Sequence, residues 1–183
     1  MTQGELISVP RHAGNGDENF RFTLARADAW LRGKAGVRTW SLDAAACNES
    51  HLAARYYTLE HGQDGLVLPW FGATFINPPW DDIEPWVERA CQSWWAVPVD
   101  REDPVPLQLI AMLLPLRTHM PWWQRFVEPF RDQPRGIAGG PRGFFLRMYC
   151  PPERFTWGAP GNPRGIGAQE PNFQAVGLVW RRA

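Results

Sequence analysis

The sequence predicts an α/β fold of three layers, with a mostly parallel sheet and an antiparallel edge toward the C-terminus. Three observations carry this. Short apolar strands alternate with helical patterns as far as Phe130, the order of a sheet covered by helices on both faces. "LQLIAMLLP" (107–115) is apolar without alternation, as a strand buried on both sides is. "FFLRMY" (144–149) and "FQAVGLVW" (173–180) then follow with no helical pattern between them, which reads as an antiparallel pair across a loop.

The elements follow in order. Residues 1–19 are polar and Gly/Asn-rich and are expected to fray; 20–183 read as a single domain. "RADAWLRGKAG" (26–36) predicts a short helix with Ala29, Trp30 and Gly33 facing inward and Gly36 near its end. "VRTWSLDAAAC" (37–47) predicts a strand that terminates at Asp43 and small residues. "AARYYTLE" (53–60) predicts a second, followed by the turn "HGQDG". "GATFI" (72–76) is the strand that feeds Asn77. In "DDIEPWVERACQSWW" (81–95), Ile83, Trp86, Val87, Ala90, Cys91 and Trp94 recur at helical spacing. Asp81 or Asp82 can cap that helix, and Pro85 is tolerated in its first turn. "VPVDREDPVP" (97–106) is a Pro/acid loop, and "MPWWQRFVEPF" (120–130) predicts another short helix. Residues 131–172 are loop-rich, and "RDQPRGIAGGPRG" (131–143) is an Arg/Gly/Pro segment not expected to pack.

At 183 residues, 44% hydrophobic and 21% charged, the chain has the length and composition of one globular domain. No apolar run reaches the ~20 residues of a membrane span, and the first residues lack the apolar core of a signal peptide. Cys47, Cys91 and Cys150 are far apart with no CxxC spacing, so reduced, buried thiols in a cytoplasmic protein are expected. The histidines form no HxH or HxxxH pair, so no metal is expected. Net charge is zero but unevenly spread: residues 1–110 carry 9 Lys+Arg against 15 Asp+Glu, and 111–183 carry 10 against 4. Lys34 is the only lysine. An arginine-rich C-terminal part admits a polyanionic partner; arginines scattered over a solvated face account for it equally. The 11 tryptophans read either as core or as platforms for bases.

"TFINPPWDD" (74–82) carries the chemistry. Two consecutive prolines have no N–H and end a strand abruptly, at the end of the strand where open α/β sheets bind ligands. The Asn77 side-chain oxygen and the Pro78 carbonyl are two rigidly held acceptors. Together they suit the two hydrogens of an exocyclic amine on a planar heterocycle. Accepting both draws the nitrogen toward tetrahedral geometry and frees its lone pair, with little reorganisation. Trp80 offers an aromatic face for the ring, and a base must leave its duplex to reach it. A rigid turn with Trp80 in the core is the alternative reading of the same residues.

The sequence resembles the phage-type DNA N6-adenine methyltransferases (Dam-like). Their Asn/Asp-Pro-Pro-aromatic tetrad is matched by Asn77, Pro78, Pro79 and Trp80, with Trp in place of the more usual Tyr. "SLDAAACNES", "RYYTLEHGQDGLVLPW" and "LLPLRTHMPWW" resemble three further family segments in the same order, and "NFQAVGLVW" is similar to the last strand. The resemblance implies a Rossmann-like S-adenosylmethionine-dependent methyltransferase fold and methyl transfer from S-adenosyl-L-methionine to adenine N6 in DNA. The same tetrad serves the N4 amine of cytosine, and an inactive binding protein of the same fold is a further alternative. By resemblance, Asp43, Ala44, Ala45 and Asp64 contact the cofactor, although a cap at Asp43 and a turn at Asp64 explain them as well. Arg117, Arg135 and Arg142 are candidate DNA-phosphate contacts, or ordinary surface arginines. DNA selectivity is expected in loops around 98–106, 117–143 and 150–172. His119 stands where the family pattern has an acid. A bacterial cytoplasm and a phage or prophage origin are expected.

Overall fold

The computed structural model describes Thr23 and residues 25–95, 106–133, 144–157 and 174–182. Helix α1 (Ala25–Ala35) precedes β1 (Leu42–Asp43) and β2 (Gly72–Ile76). Helix α2 (Glu84–Trp95), β3 (Leu107–Pro115), α3 (Pro121–Phe126), β4 (Phe144–Tyr149) and β5 (Ala175–Arg182) follow. The five strands form one open sheet in the order β1-β2-β3-β5-β4.

β1 and β2 are parallel, as are β2 and β3. β5 is antiparallel to β3, and β4 is antiparallel to β5, so β4 runs the same way as the first three. The expected antiparallel pair is therefore real and stands at one edge of the sheet, with β5 inserted between β3 and β4. Its six described residues from Ala175 to Trp180 are all buried, which is why "AVGLVW" has no polar alternation. β4 takes the edge, and its outer side is partly covered. Arg131 bridges Leu146, and Asp132 N–H donates to Leu146 O at 2.7 Å while its carboxylate accepts from Met148 N at 3.1 Å. Such cover removes some of the unpaired edge on which another chain could pair.

Helices lie on both faces of the sheet. A Cβ on Gly177 would meet Leu31 Cδ1 at 2.8 Å and Trp30 Cζ3 at 3.0 Å, so α1 packs directly on that face of β5. Cys91 of α2, whose thiol donates to Phe126 O at 3.5 Å, lies beside Trp180, three residues along β5 and so on the opposite face. The inward stripe of α1 is Ala27, Leu31 and Ala35, with Trp30 partly buried beside it. Ala29 and Gly33, expected to face inward, are exposed: the stripe at i, i+4, i+8 lies on the face opposite them. On α2, Trp86, Val87, Ala90 and Cys91 are buried as expected.

Two predicted strands contract. The 37–47 strand keeps Leu42–Asp43, flanked by Ser41 N–H to Ala73 O at 2.8 Å and Ala44 N–H to Phe75 O at 3.0 Å. In 53–60, Tyr56 makes one bridge to Asp43, and Leu59–His61 form a 3-10 turn. Thr58 caps that turn through its hydroxyl, and Gly62 closes it at φ 70°. Helix α2 begins at Glu84, after Asp82 N–H bonds Pro79 O at 3.2 Å. Helix α3 stops at Phe126, before Pro129.

Trp40, Trp70, Trp80, Trp86, Trp122, Trp123, Trp157 and Trp180 are all buried, so most of the tryptophans are core. Of the cysteines, Cys91 is buried and Cys150 exposed, with Cys47 between; the expectation of three buried thiols holds for Cys91. Burial pushes the Cys91 thiol up to about 12. No helix among the described residues is long and apolar enough to cross a membrane.

Candidate active site

The carboxyl ends of the parallel strands gather the sequence-predicted residues. Asp43 pairs with Phe75 and Ile76 with Met112, so the chain leaves β1 at Ala44 and β2 at Asn77 side by side. The continuation of β3 carries Arg117 to the same end. Its Nη1 donates to the Trp80 carbonyl at 3.4 Å, which holds a half-buried guanidinium against the backbone of the tetrad.

Asn77 and Trp80 are 7% and 6% exposed. The indole Nε1–H of Trp80 donates to Asn77 Oδ1 at 3.3 Å. This bond fixes the direction of the Asn77 amide. Of the two readings of Trp80, an open face for a base or a residue of the core, its burial matches the second. The Trp157 ring lies edge-on to Trp80, with centroids 4.8 Å apart and planes at 87°.

Asp43 is 3% exposed. Its two carboxylate oxygens accept from Ala45 N at 3.3 Å and Leu52 N at 3.0 Å. Burial raises its pKa to about 7, against the lowering effect of the Leu52 and Ala45 amides; nearby Asp28 adds to the rise. The carboxylate thus ties together the loop that leaves β1; it caps no helix, as the alternative reading of Asp43 had it, because none begins between it and Leu59. Asp64 is half-buried and accepts from Leu66 N at 2.7 Å, the Asx-turn use of a "QDG" aspartate. Asp43–Ala45 and Asp64 are nonetheless neighbours in space. A Cβ on Gly65 would lie 1.8 Å from the Ala44 carbonyl oxygen, so the two segments touch backbone to backbone.

Three residues of this region were not singled out by sequence. Gly65 looked like an ordinary turn glycine, and only the fold reveals what it abuts. Arg89, the one basic residue of α2, donates to the carbonyls of Leu66, Val67 (3.4 Å) and Leu68 (2.6 Å). It also lies 4.9 Å over the Trp70 ring. Burial lowers its pKa, with Asp64 and Tyr57 acting in the other direction; its solitary charge in an acidic helix was the available signal. Trp157, in an irregular segment after β4, gave no signal. Arg135 and Arg142 lie outside the described residues, and Arg117 stands at the tetrad.

The family described as DNA N-6-adenine-methyltransferase (Dam) matches residues 29–132, more than half of the chain. The match takes in Asp43, Asp64 and the whole of Asn77–Trp80, and ends before β4, β5 and Trp157. No curated protein and no solved structure matches the chain significantly. With the tetrad standing at the end of a buried parallel strand inside the matched stretch, the chain belongs to the DNA N-6-adenine-methyltransferase (Dam) family.

Proposed function

We propose that the protein transfers a methyl group from S-adenosyl-L-methionine to the N6 amine of an adenine flipped out of DNA. The observation that carries this reading is the buried amide oxygen of Asn77 at the carboxyl end of β2, one strand from Asp43. The bond from Trp80 Nε1 orients that oxygen, which in this reading accepts a hydrogen of the base amine. The Pro78 carbonyl takes the other hydrogen, and the nitrogen lone pair is released for attack. After transfer the nitrogen loses one proton to solvent, and neutral Asn77 need not act as a strong base. Trp80 stacks on the base.

Asp43, Ala44, Ala45 and Asp64 are the residues proposed to hold the cofactor, in a Rossmann-like methyltransferase arrangement. Ala45 and Asp64 are partly exposed and admit a ligand beside them, while the buried Asp43 and Ala44, the latter packed against Gly65, hold the loop from behind. When bound, the cofactor supplies an electrophilic methyl on a sulfonium. Asp43 shapes the loop around it through the Ala45 and Leu52 amides. Arg117 steadies the tetrad. Arg135 and Arg142 are proposed phosphate contacts, and the 131–172 region a DNA-contacting insertion. A cytoplasmic site of action and a phage or prophage origin complete the reading.

Radiolabel transfer from S-adenosylmethionine to unmethylated plasmid DNA, followed by nucleoside analysis, tests it. N6-methyl-2′-deoxyadenosine is the expected product. N4-methylcytosine would reassign the substrate, and no transfer would refute the reading. Asn77→Ala should abolish transfer and keep cofactor binding; loss of binding together with folding would make the tetrad a packing element.

A further inference from the structure

We infer that Trp157 is a gate on the base pocket: it stands against Trp80 where a flipped base would stack and must move aside before the base is accepted. The inference rests on the proposed use of Trp80 as a stacking platform. Trp80 and Trp157 are 6% and 4% exposed, so in this conformation neither offers a face to a ligand. Their edge-on contact at 4.8 Å is a favoured geometry for two aromatic rings, and it excludes a base from the same place.

Trp157 closes the described part of the segment that follows β4. Upstream the segment is fastened to the rest of the fold: Gln174 Nε2 donates to Pro151 O at 3.0 Å, and Glu153 pairs with Arg26 of α1. Phe155 packs edge-on against Trp30, centroids 5.5 Å apart. Trp157, two residues beyond Phe155, reaches away from α1 to the tetrad, in backbone that is neither helix nor strand. A rotation beyond Phe155 would move the indole while these contacts of Pro151, Glu153 and Phe155 stay in place. Base stacking on Trp80 replaces the ring contact that is lost, so base entry and Trp157 displacement are one exchange. A fraction of molecules with Trp157 withdrawn sets the apparent affinity for DNA.

The test compares Trp157→Ala with the wild-type chain on unmethylated plasmid DNA. The gate predicts that W157A raises kcat/KM by about fivefold, the worth of one edge-to-face ring pair, with W157F between the two. A folded W157A with unchanged or lower kcat/KM overturns the gate, and a lower value would make Trp157 a wall of the occupied pocket. A footprint on the wild-type chain covers the case in which W157A does not fold. The tryptic peptide from Phe155 to Arg164 contains a single tryptophan, Trp157. Its hydroxyl-radical oxidation should rise when plasmid DNA and S-adenosylhomocysteine are added; unchanged or reduced oxidation overturns the gate. The footprint needs no turnover, so it decides the gate even where a lack of methyl transfer has refuted the proposed function.

Discussion

Replacing Gly65 by alanine probes the junction between the two segments proposed to hold the cofactor. The added Cβ would lie 1.8 Å from Ala44 O, 2.9 Å from Ala44 C and 2.9 Å from Trp86 Cη2. Gly65 does not adopt a left-handed φ, so the cost is collision and not backbone conformation. To restore an ordinary contact of about 3.3 Å the two backbones must part by roughly 1.5 Å. Three hydrogen bonds resist that movement: Trp70 Nε1 to Gly65 O at 2.8 Å, Leu66 N to Asp64 Oδ1 at 2.7 Å, and Ala44 N to Phe75 O at 3.0 Å. Overpacking costs about 1–3 kcal/mol, and each weakened bond adds up to about 1 kcal/mol. A loss of about 3 kcal/mol is expected, a large share of the ~5–15 kcal/mol that holds a domain together. In urea denaturation with m of about 2 kcal/mol/M, the midpoint should fall by about 1.5 M. Affinity for S-adenosylhomocysteine, measured by calorimetry under conditions where the variant is folded, should fall with it. A midpoint shift below about 0.5 M would refute the backbone contact between Ala44 and Gly65.

Gly33→Ala is the opposite case: Gly33 is exposed within α1 with nothing within 4 Å of the added carbon, and the change should stabilise by about 0.5–1 kcal/mol in the same denaturation assay. Asp43, its carboxyl raised to about 7 by burial, binds its proton more tightly folded than unfolded. Its stabilising contribution is therefore complete below about pH 4 and lost as pH rises through about 7, at most about 4 kcal/mol at ~1.4 kcal/mol per tenfold in proton affinity. Thermal melts should show the wild type losing stability relative to Asp43→Asn across that window and a constant difference above it; a constant difference throughout would mean the carboxyl is not shifted. Arg89→Ala removes three donations to loop carbonyls and the contact with Trp70, and should cost about 1–3 kcal/mol of unfolding free energy for a half-buried charge. Arg89→Lys should recover part of it, since an ammonium cannot span the same carbonyls with a planar fork.

The parts of the fold legible in the sequence were those where one physical cause dominates. β3 was readable to the residue because from Leu109 onward a strand buried on both faces leaves no polar position, and β2 because Pro78 stops it. The position of β5 was not, since an apolar strand next to an apolar strand fits the edge or the interior equally well in one dimension. Residues 53–60 misled for a local reason. Tyr56 and Tyr57 favour a strand, but Thr58 and Gly62 form a capped turn, and the turn wins. At the site, the tetrad announced itself by its prolines. The partners of Asp43 did not, because its acceptors are satisfied by amides of a loop whose path the sequence does not reveal. Trp80 shows the same gap: that it would be aromatic and close to Asn77 was legible, that Trp157 would cover it was not.

The insertion of β5 between β3 and β4 also sets an order of assembly. β4 pairs with no other strand of the sheet but β5, so although it emerges earlier in the chain it has no strand to join until Ala175–Arg182 arrives. Until then β3 presents a long apolar margin, from Leu109 to Pro115, with no neighbour on that side. Folding therefore hinges on closing a long loop late, and the half-built sheet is the species most exposed to sticking to another copy of itself.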